Sequence, residues 1–413
     1  MWQLFKFEQK RLFQQPRIWI LSGIFVIACL IIGFGFKQTN DGERVDTNYQ
    51  LQNTLNLIQG SQNQSHSQLQ QDLSQRYRAI TQAKQSDRQL LKYQQQDLQR
   101  YFTTGSYVTD VGGNELLPQQ SLDQYVLHRQ QLVNYLVKQK MAYHSVRYGA
   151  NSVMLLISML PILTSVLGII VLLLIFALPQ LQALTTEKLG WLDTLPIQRR
   201  ASFNAQLLVF ASNTLGFIMI LSIVLYLYGG ILGGFTTLNY PILTYWAGTT
   251  QLKPAIQVIG LSLLLFWINL LLVYLLLRLV IALIKPIRQR LSLAFVVCGL
   301  MLGGLLILAQ TPNIVSRTMG AFLPSSYLQS SQVLFANSYQ AQSWLNGNTV
   351  FFTLGATNFF SIPYENVNYF LNQTVARLQQ NPHITIELGL VVNTIAAGLS
   401  YLAANKLYRQ RLN

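Results

Sequence analysis

Acidic side chains are scarce in this chain. Asp and Glu together number 14 in 413 residues, against 29 Lys and Arg. None lies inside the long apolar runs, and the nearest, Glu387, stands at the edge of the last one. Ion-driven carriers commonly keep carboxylates at membrane depth despite an insertion cost of a few kcal/mol. Their absence here disfavours an ion-driven mechanism. Cysteine is scarcer still. Cys29 and Cys298 both sit within apolar runs and read as small buried hydrophobes rather than ligands or a disulfide pair. The polar segments have none, so their order does not depend on disulfides. No G-x-x-x-x-G-K-[ST] phosphate loop, H-E-x-x-H or G-x-S-x-G occurs. The four histidines, His66, His128, His144 and His383, lack close ligand spacing and read as solvated. The chain therefore reads as no enzyme in its own right, with no metal site.

What is present is six long apolar runs, at 18–36, 152–178, 207–228, 254–277, 291–309 and 386–404. Each is near or above the roughly 20 residues that a helix needs to cross about 30 Å of hydrocarbon. Basic residues between them fall on one side. Lys6, Lys10, Arg11 and Arg17 precede the first run, and Lys188, Arg199 and Arg200 follow the second. Arg278, Lys285, Arg288 and Arg290 follow the fourth, and Lys406, Arg409 and Arg411 follow the sixth. The short loop on the other side, 229–253, carries only Lys253. The positive-inside rule then puts both termini in the cytoplasm. The first run reads as a signal anchor rather than a cleaved signal peptide. The net charge of +15 is thus mainly a topology signal, with some affinity for anionic lipid. No domain-sized basic patch with interleaved aromatics points to a nucleic-acid partner. Arg278, near the end of the fourth run, is expected to snorkel to headgroups.

The expected class is an all-α polytopic membrane protein with six transmembrane helices, an N-terminal interfacial elbow and a large extracytoplasmic helical hairpin. Residues 1–17 form the elbow, with Trp2, Phe5, Leu12 and Phe13 on one apolar stripe and Pro16 ending it. Residues 18–36 are the first span. Residues 37–147 are the extracytoplasmic domain, where Leu51, Leu55 and Ile58 recur at helical spacing. There a second helical pattern, with Leu132, Val133, Leu136 and Val137, is expected to run straight into the second span. A disordered Gln-rich loop is the other reading of this domain. Residues 148–309 carry spans two to five, and 310–385 form a second extracytoplasmic element. Residues 386–413 hold the sixth span and the tail. The polar groups within spans, Asn213, Asn269 and Asn393, have two readings: the lining of a solute path, or interhelical hydrogen bonds.

The cytoplasmic connector after the second run, 185–200, reads TTEKLGWLDTLPIQRR. Thr186 can cap a short helix whose positive N-terminal end suits Glu187. Trp191, Leu192 and Leu195 fall on one face, and Glu187, Gly190, Asp193 and Thr194 on the other. Pro196 stops the helix, and Arg199 and Arg200 begin the next run. A rigid amphipathic helix hinged between two spans makes a good mechanical contact for a soluble partner, and a plain interfacial connector is the alternative.

The run Glu187, Gly190, Leu195-Pro196-Ile197 and Arg199 resembles the coupling-helix pattern of type-2 ATP-binding-cassette (ABC) export permeases. The elbow, six spans, inside termini and a helical element before the sixth span are similar too. Two features depart from the family: the large domain between the first two spans, and Ala205-Gln206, where members often carry a basic residue. The resemblance implies a permease subunit of a bacterial plasma membrane, paired with a second permease subunit as a homo- or heterodimer. It also implies cytoplasmic ATP-binding-cassette subunits that hold ATP and Mg, with no cofactor on this chain. Glu187, Gly190, Trp191, Leu195, Pro196 and Arg199 would then couple to the ATPase. Asn213, Asn269 and Asn393 would be path residues for a peptide or an amphipathic, lipid-like solute. The rival is a non-transporting membrane receptor or immunity protein that binds a peptide or partner through 37–147.

Overall fold

The computed structural model describes residues 2–60, 130–142, 144, 150–185, 199–246, 249–284, 290–310, 317–328, 330–335 and 383–410. Four of its helices are long and apolar enough to cross a membrane. These lie in α2 (Pro16–Gly60), α6 (Arg199–Gly233), α7 (Ala255–Leu283) and α11 (Ile386–Gln410). The N-terminal helix α1 (Trp2–Phe13) precedes them, and α8 (Arg290–Gln310) follows α7. Pro16 opens α2, where its missing N–H costs nothing. The Trp19 indole N–H donates to the Phe13 carbonyl at 2.9 Å and clasps the α1–α2 corner. From there α2 continues unbroken to Gly60, so helix extends well past the apolar run.

The second apolar run is not one helix, contrary to expectation. It divides into α3 (Ser152–Leu163), α4 (Val166–Leu172), a π turn (Leu173–Ala177) and α5 (Leu178–Thr185). Pro161 withholds one N–H from the ladder, and two hydroxyls complete the break. Thr164 Oγ1 donates to the Leu160 carbonyl at 2.8 Å, while the Ser165 side chain caps α4 by accepting from the Gly168 N–H. A β-carbon at position 168 would lie 2.0 Å from the Leu163 carbonyl oxygen, so the break requires glycine there.

This break divides the hydrophobic interior. Leu163 and the α3 residues before it pack in one core with Cys29, Phe36, Leu225 and Val258. Ile169, Leu172, Leu173, Phe176 and Leu181 pack in a second, with Leu12, Ile18, Phe210, Tyr274 and Cys298. Cys29 and Cys298 are buried free thiols, as expected. Helix α7 runs through both cores and is the most enclosed of the four long helices, 61% of its apolar window being buried. Its most extensive helix partner is α11.

Two departures concern the polar segments. The all-α expectation misses an antiparallel hairpin, β1 (Pro241–Trp246) with β2 (Thr249–Pro254), which leads directly into α7. The helix over 130–138 does not run into the second apolar run. Lys140 adopts φ 53°, and the Met141 N–H reaches back to the Leu136 carbonyl at 2.9 Å, a Schellman-type stop made without glycine. Leu132, Val133 and Leu136 of that helix are buried in the first core, with Val137 facing out.

Between α8 and α11, three short elements fold back onto the bundle: α9 (Arg317–Gly320), a 3₁₀ turn (Pro324–Tyr327) and α10 (Ser330–Phe335). The Ser330 N–H donates to the Thr164 carbonyl at 3.3 Å, so this segment serves a carbonyl freed at the break. Tyr327 is fully buried, its hydroxyl donating to the Ala321 carbonyl at 2.7 Å, and burial pushes its phenol pKa up. Gly389 of α11 makes room for that ring, because a β-carbon there would lie 2.5 Å from it.

Gly168→Ala should cost about 1–3 kcal/mol, since backbone rather than a flexible side chain must give way. Gly260→Ala on α7, where a β-carbon meets nothing within 4 Å, is the control. Thermal unfolding in detergent should show a lowered midpoint for the first variant alone; equal midpoints would remove the argument for the break.

Candidate functional site

Arg278 does not snorkel. It lies on the last turns of α7, 1% exposed, and with Glu8 is one of two buried charged side chains among the described residues. Residues from four helices, α1, α5, α6 and α7 itself, converge on it. One Arg278 Nη1 donates to Gln206 Oε1 at 2.8 Å and to the Tyr274 hydroxyl at 3.0 Å. Tyr274, one turn earlier on α7, donates to Gln180 Oε1 of α5 at 2.8 Å. The Gln206 amide nitrogen on α6 donates to Glu8 Oε1 of α1 at 3.2 Å. The other Glu8 oxygen accepts from Arg11 at 2.7 Å. Phe203, one turn before Gln206, puts its ring 4.9 Å from the guanidinium carbon. Phe210 stacks on Tyr274 at 4.1 Å, with 12° between the planes.

The local sequence explains the convergence. Phe203, Gln206 and Phe210 share one face of α6, as Tyr274 and Arg278 share one face of α7. Arginine stays charged at any accessible pH, so its burial demands donor-to-acceptor partners and a compensating charge. Gln206 supplies both links: its oxygen takes the arginine proton, and its nitrogen reaches the only buried carboxylate among the described residues. A basic side chain at 206 would set two cations against each other.

The cluster lies where the second and third apolar runs meet their connector. Gln180 is on α5, which ends at Thr185, and Gln206 is in the second turn of α6, which starts at Arg199. Of the expected coupling residues, Glu187, Gly190, Trp191, Leu195 and Pro196 lie outside the described residues. Arg199 is the first residue of α6, with its side chain outside them too.

The amides expected to line a path do not form one set. Asn393 donates to Asn269 Oδ1 between α11 and α7. Asn269 donates in turn to the Tyr327 carbonyl and to Ser330 Oγ, at 3.0 Å for the latter. Both amides are fully buried and pin the segment around Tyr327 to the bundle. Asn213 stands apart on α6, half-buried, its amide nitrogen without a hydrogen bond among the described residues. His144 is half-buried rather than solvated. Its ring nitrogen lies 3.2 Å from Thr236 Oγ1, its ring packs on Tyr240, and its backbone N–H donates to the Tyr240 hydroxyl at 3.1 Å. Ser152 binds Thr236 as well, accepting from its N–H at 2.9 Å, which ties the start of α3 to the end of α6.

Sequence reading missed the Arg278 cluster. Its single visible signal was an arginine inside the end of an apolar helix; the glutamines and Glu8 are too far apart in sequence to be paired without the fold. No protein-family profile, curated protein or solved structure matches this chain.

Gln206→Leu should cost about 1–3 kcal/mol, because it strands Arg278 and Glu8 together. Combined with Glu8→Gln, the two losses should fall short of additive by more than about 0.5 kcal/mol, as for residues in one network. Denaturant unfolding of both single variants and the double variant in detergent measures this; strict additivity would mean that the chain of bonds carries no joint energy.

Proposed function

We propose that this chain is the membrane-spanning permease subunit of an ATP-driven exporter, moving a peptide or an amphipathic, lipid-like solute. Separate cytoplasmic subunits would bind ATP and Mg, and a second permease subunit would complete the pore. In this reading α3–α5 together and α8 also cross the bilayer, giving six spans with both termini in the cytoplasm. Residues 37–147 and 310–385 would stand outside the cell.

One observation carries the reading: the run that ends at the 186–198 connector is jointed. Its two halves belong to different cores, with the Thr164–Ser165 break and a π turn between them. The half nearer the connector is bonded through Gln180 to Tyr274, which in turn binds Arg278. A push on the connector would therefore move α5 with the ends of α6 and α7, while α3 stays with the other core. Packed cores switch between discrete arrangements rather than deforming smoothly, so a joint at their boundary suits such a stroke. A small apolar cavity sits at the joint, lined by Phe25, Leu163, Leu172, Phe217 and Phe266. The Glu187, Gly190 and Leu195-Pro196 pattern lends the connector its ATPase-facing role.

Purification in mild detergent should retain a P-loop ATPase. Glu187→Lys and Gly190→Trp should each lower retention or the ATPase rate of the complex about tenfold, equivalent to about 1.4 kcal/mol of coupling. Absence of any retained ATPase, or full retention and rate in both variants, would refute the exporter reading.

A further inference from the structure

Helix α1 turns its acid inward, paired with Arg11, and its lysines outward. Its single acid, Glu8, points inward to Gln206 and is buried. Lys6 and Lys10 face outward, and Arg17 is exposed just past the corner. Aromatic rings flank them. Trp2 is 66% exposed and stacks on Phe5 at 5.2 Å, with the Lys6 ammonium 5.4 Å from its ring. Phe7 is exposed between Lys6 and Lys10, and Trp19 is exposed at the first turn of α2. Lysines interleaved with exposed tryptophan and phenylalanine fit the headgroup level of an anionic bilayer, where each cation gains about 1 kcal/mol. The same short helix thus presents lysines to lipid and the Glu8–Arg11 pair to the protein.

We propose that α1 is a strap that reads the charge of the bilayer surface and passes that reading to the Arg278 cluster. Anionic headgroups hold Lys6 and Lys10, which keeps Glu8 seated on Gln206 and thereby completes the partners of a buried cation. On a neutral surface α1 lifts more often, and Gln206 and Arg278 lose their carboxylate. The linkage is reciprocal: whatever loosens Glu8 from Gln206 also weakens the grip of α1 on lipid. The inference requires only that the chain is embedded in a membrane, and it stands or falls separately from the exporter reading.

The test is hydrogen–deuterium exchange of peptides covering 2–13, on the full chain in nanodiscs of phosphatidylcholine alone or with roughly 30% phosphatidylglycerol. Exchange should be about tenfold slower in the anionic discs. The Lys6→Gln/Lys10→Gln double variant should lose that difference while keeping the wild-type thermal midpoint. Glu8→Gln should exchange fast in both discs. Equal exchange of the unaltered chain in the two discs would overturn the proposal, as would a full difference in the double lysine variant.

Discussion

A buried arginine sets the terms for one end of this molecule. Arg278 cannot discharge itself and is only 1% exposed, so the chain must bring polar partners from elsewhere in the sequence. It does so with Tyr274 from the same helix, Gln206 from α6 and, behind Gln206, the carboxylate of Glu8. These bonds fix where α1 lies, how α6 crosses α7, and, through Gln180, where the last part of the second apolar run ends. Replacing such a cluster with well-packed apolar side chains often does no harm to stability, so its value lies in specifying one arrangement. For a bundle of apolar helices that specification matters, because lipid and protein interiors are equally apolar and packing alone discriminates weakly.

The other core is held by neutral groups. Asn269 and Asn393 lock α7 to α11, Ser152 and Thr236 lock the start of α3 to the end of α6, and Tyr327 fills the space left by Gly389. The joint at Thr164–Ser165 lies between this neutral core and the charged one. Its local bonds are satisfied by its own hydroxyls and by Ser330, so the break is a built feature and not a defect. Unbroken α6 and α7 run through both cores, and the second apolar run alone changes from one to the other at a joint.

The parts of the fold legible in the sequence were those set by hydropathy. All six apolar runs contain helix, and Pro16 marks the corner between α1 and α2. What escaped depended on contacts between distant residues or on turns without a glycine signal. The Schellman-type stop uses Lys140, a residue with no preference for positive φ. The joint in the second run is written only as Pro161, Thr164, Ser165 and Gly168, ordinary residues for a membrane helix. In the sequence only Ala247-Gly248 separates β1 from β2, a pair weaker than Asn-Gly as a hairpin signal. His144 looked solvated because its partners, Thr236 and Tyr240, lie some ninety residues away. Asn269 and Asn393 have two readings in the sequence, the lining of a path or interhelical hydrogen bonds, and only the fold reveals that they bind each other.

The most direct measurement is a cryo-EM map of the protein in a lipid nanodisc, at a resolution that shows side chains. The account requires Arg278 density turned into the bundle, within hydrogen-bonding distance of Gln206 and Tyr274, with Glu8 of α1 behind Gln206. Density for Arg278 extending to the headgroup layer, with α1 detached from α6, would contradict it.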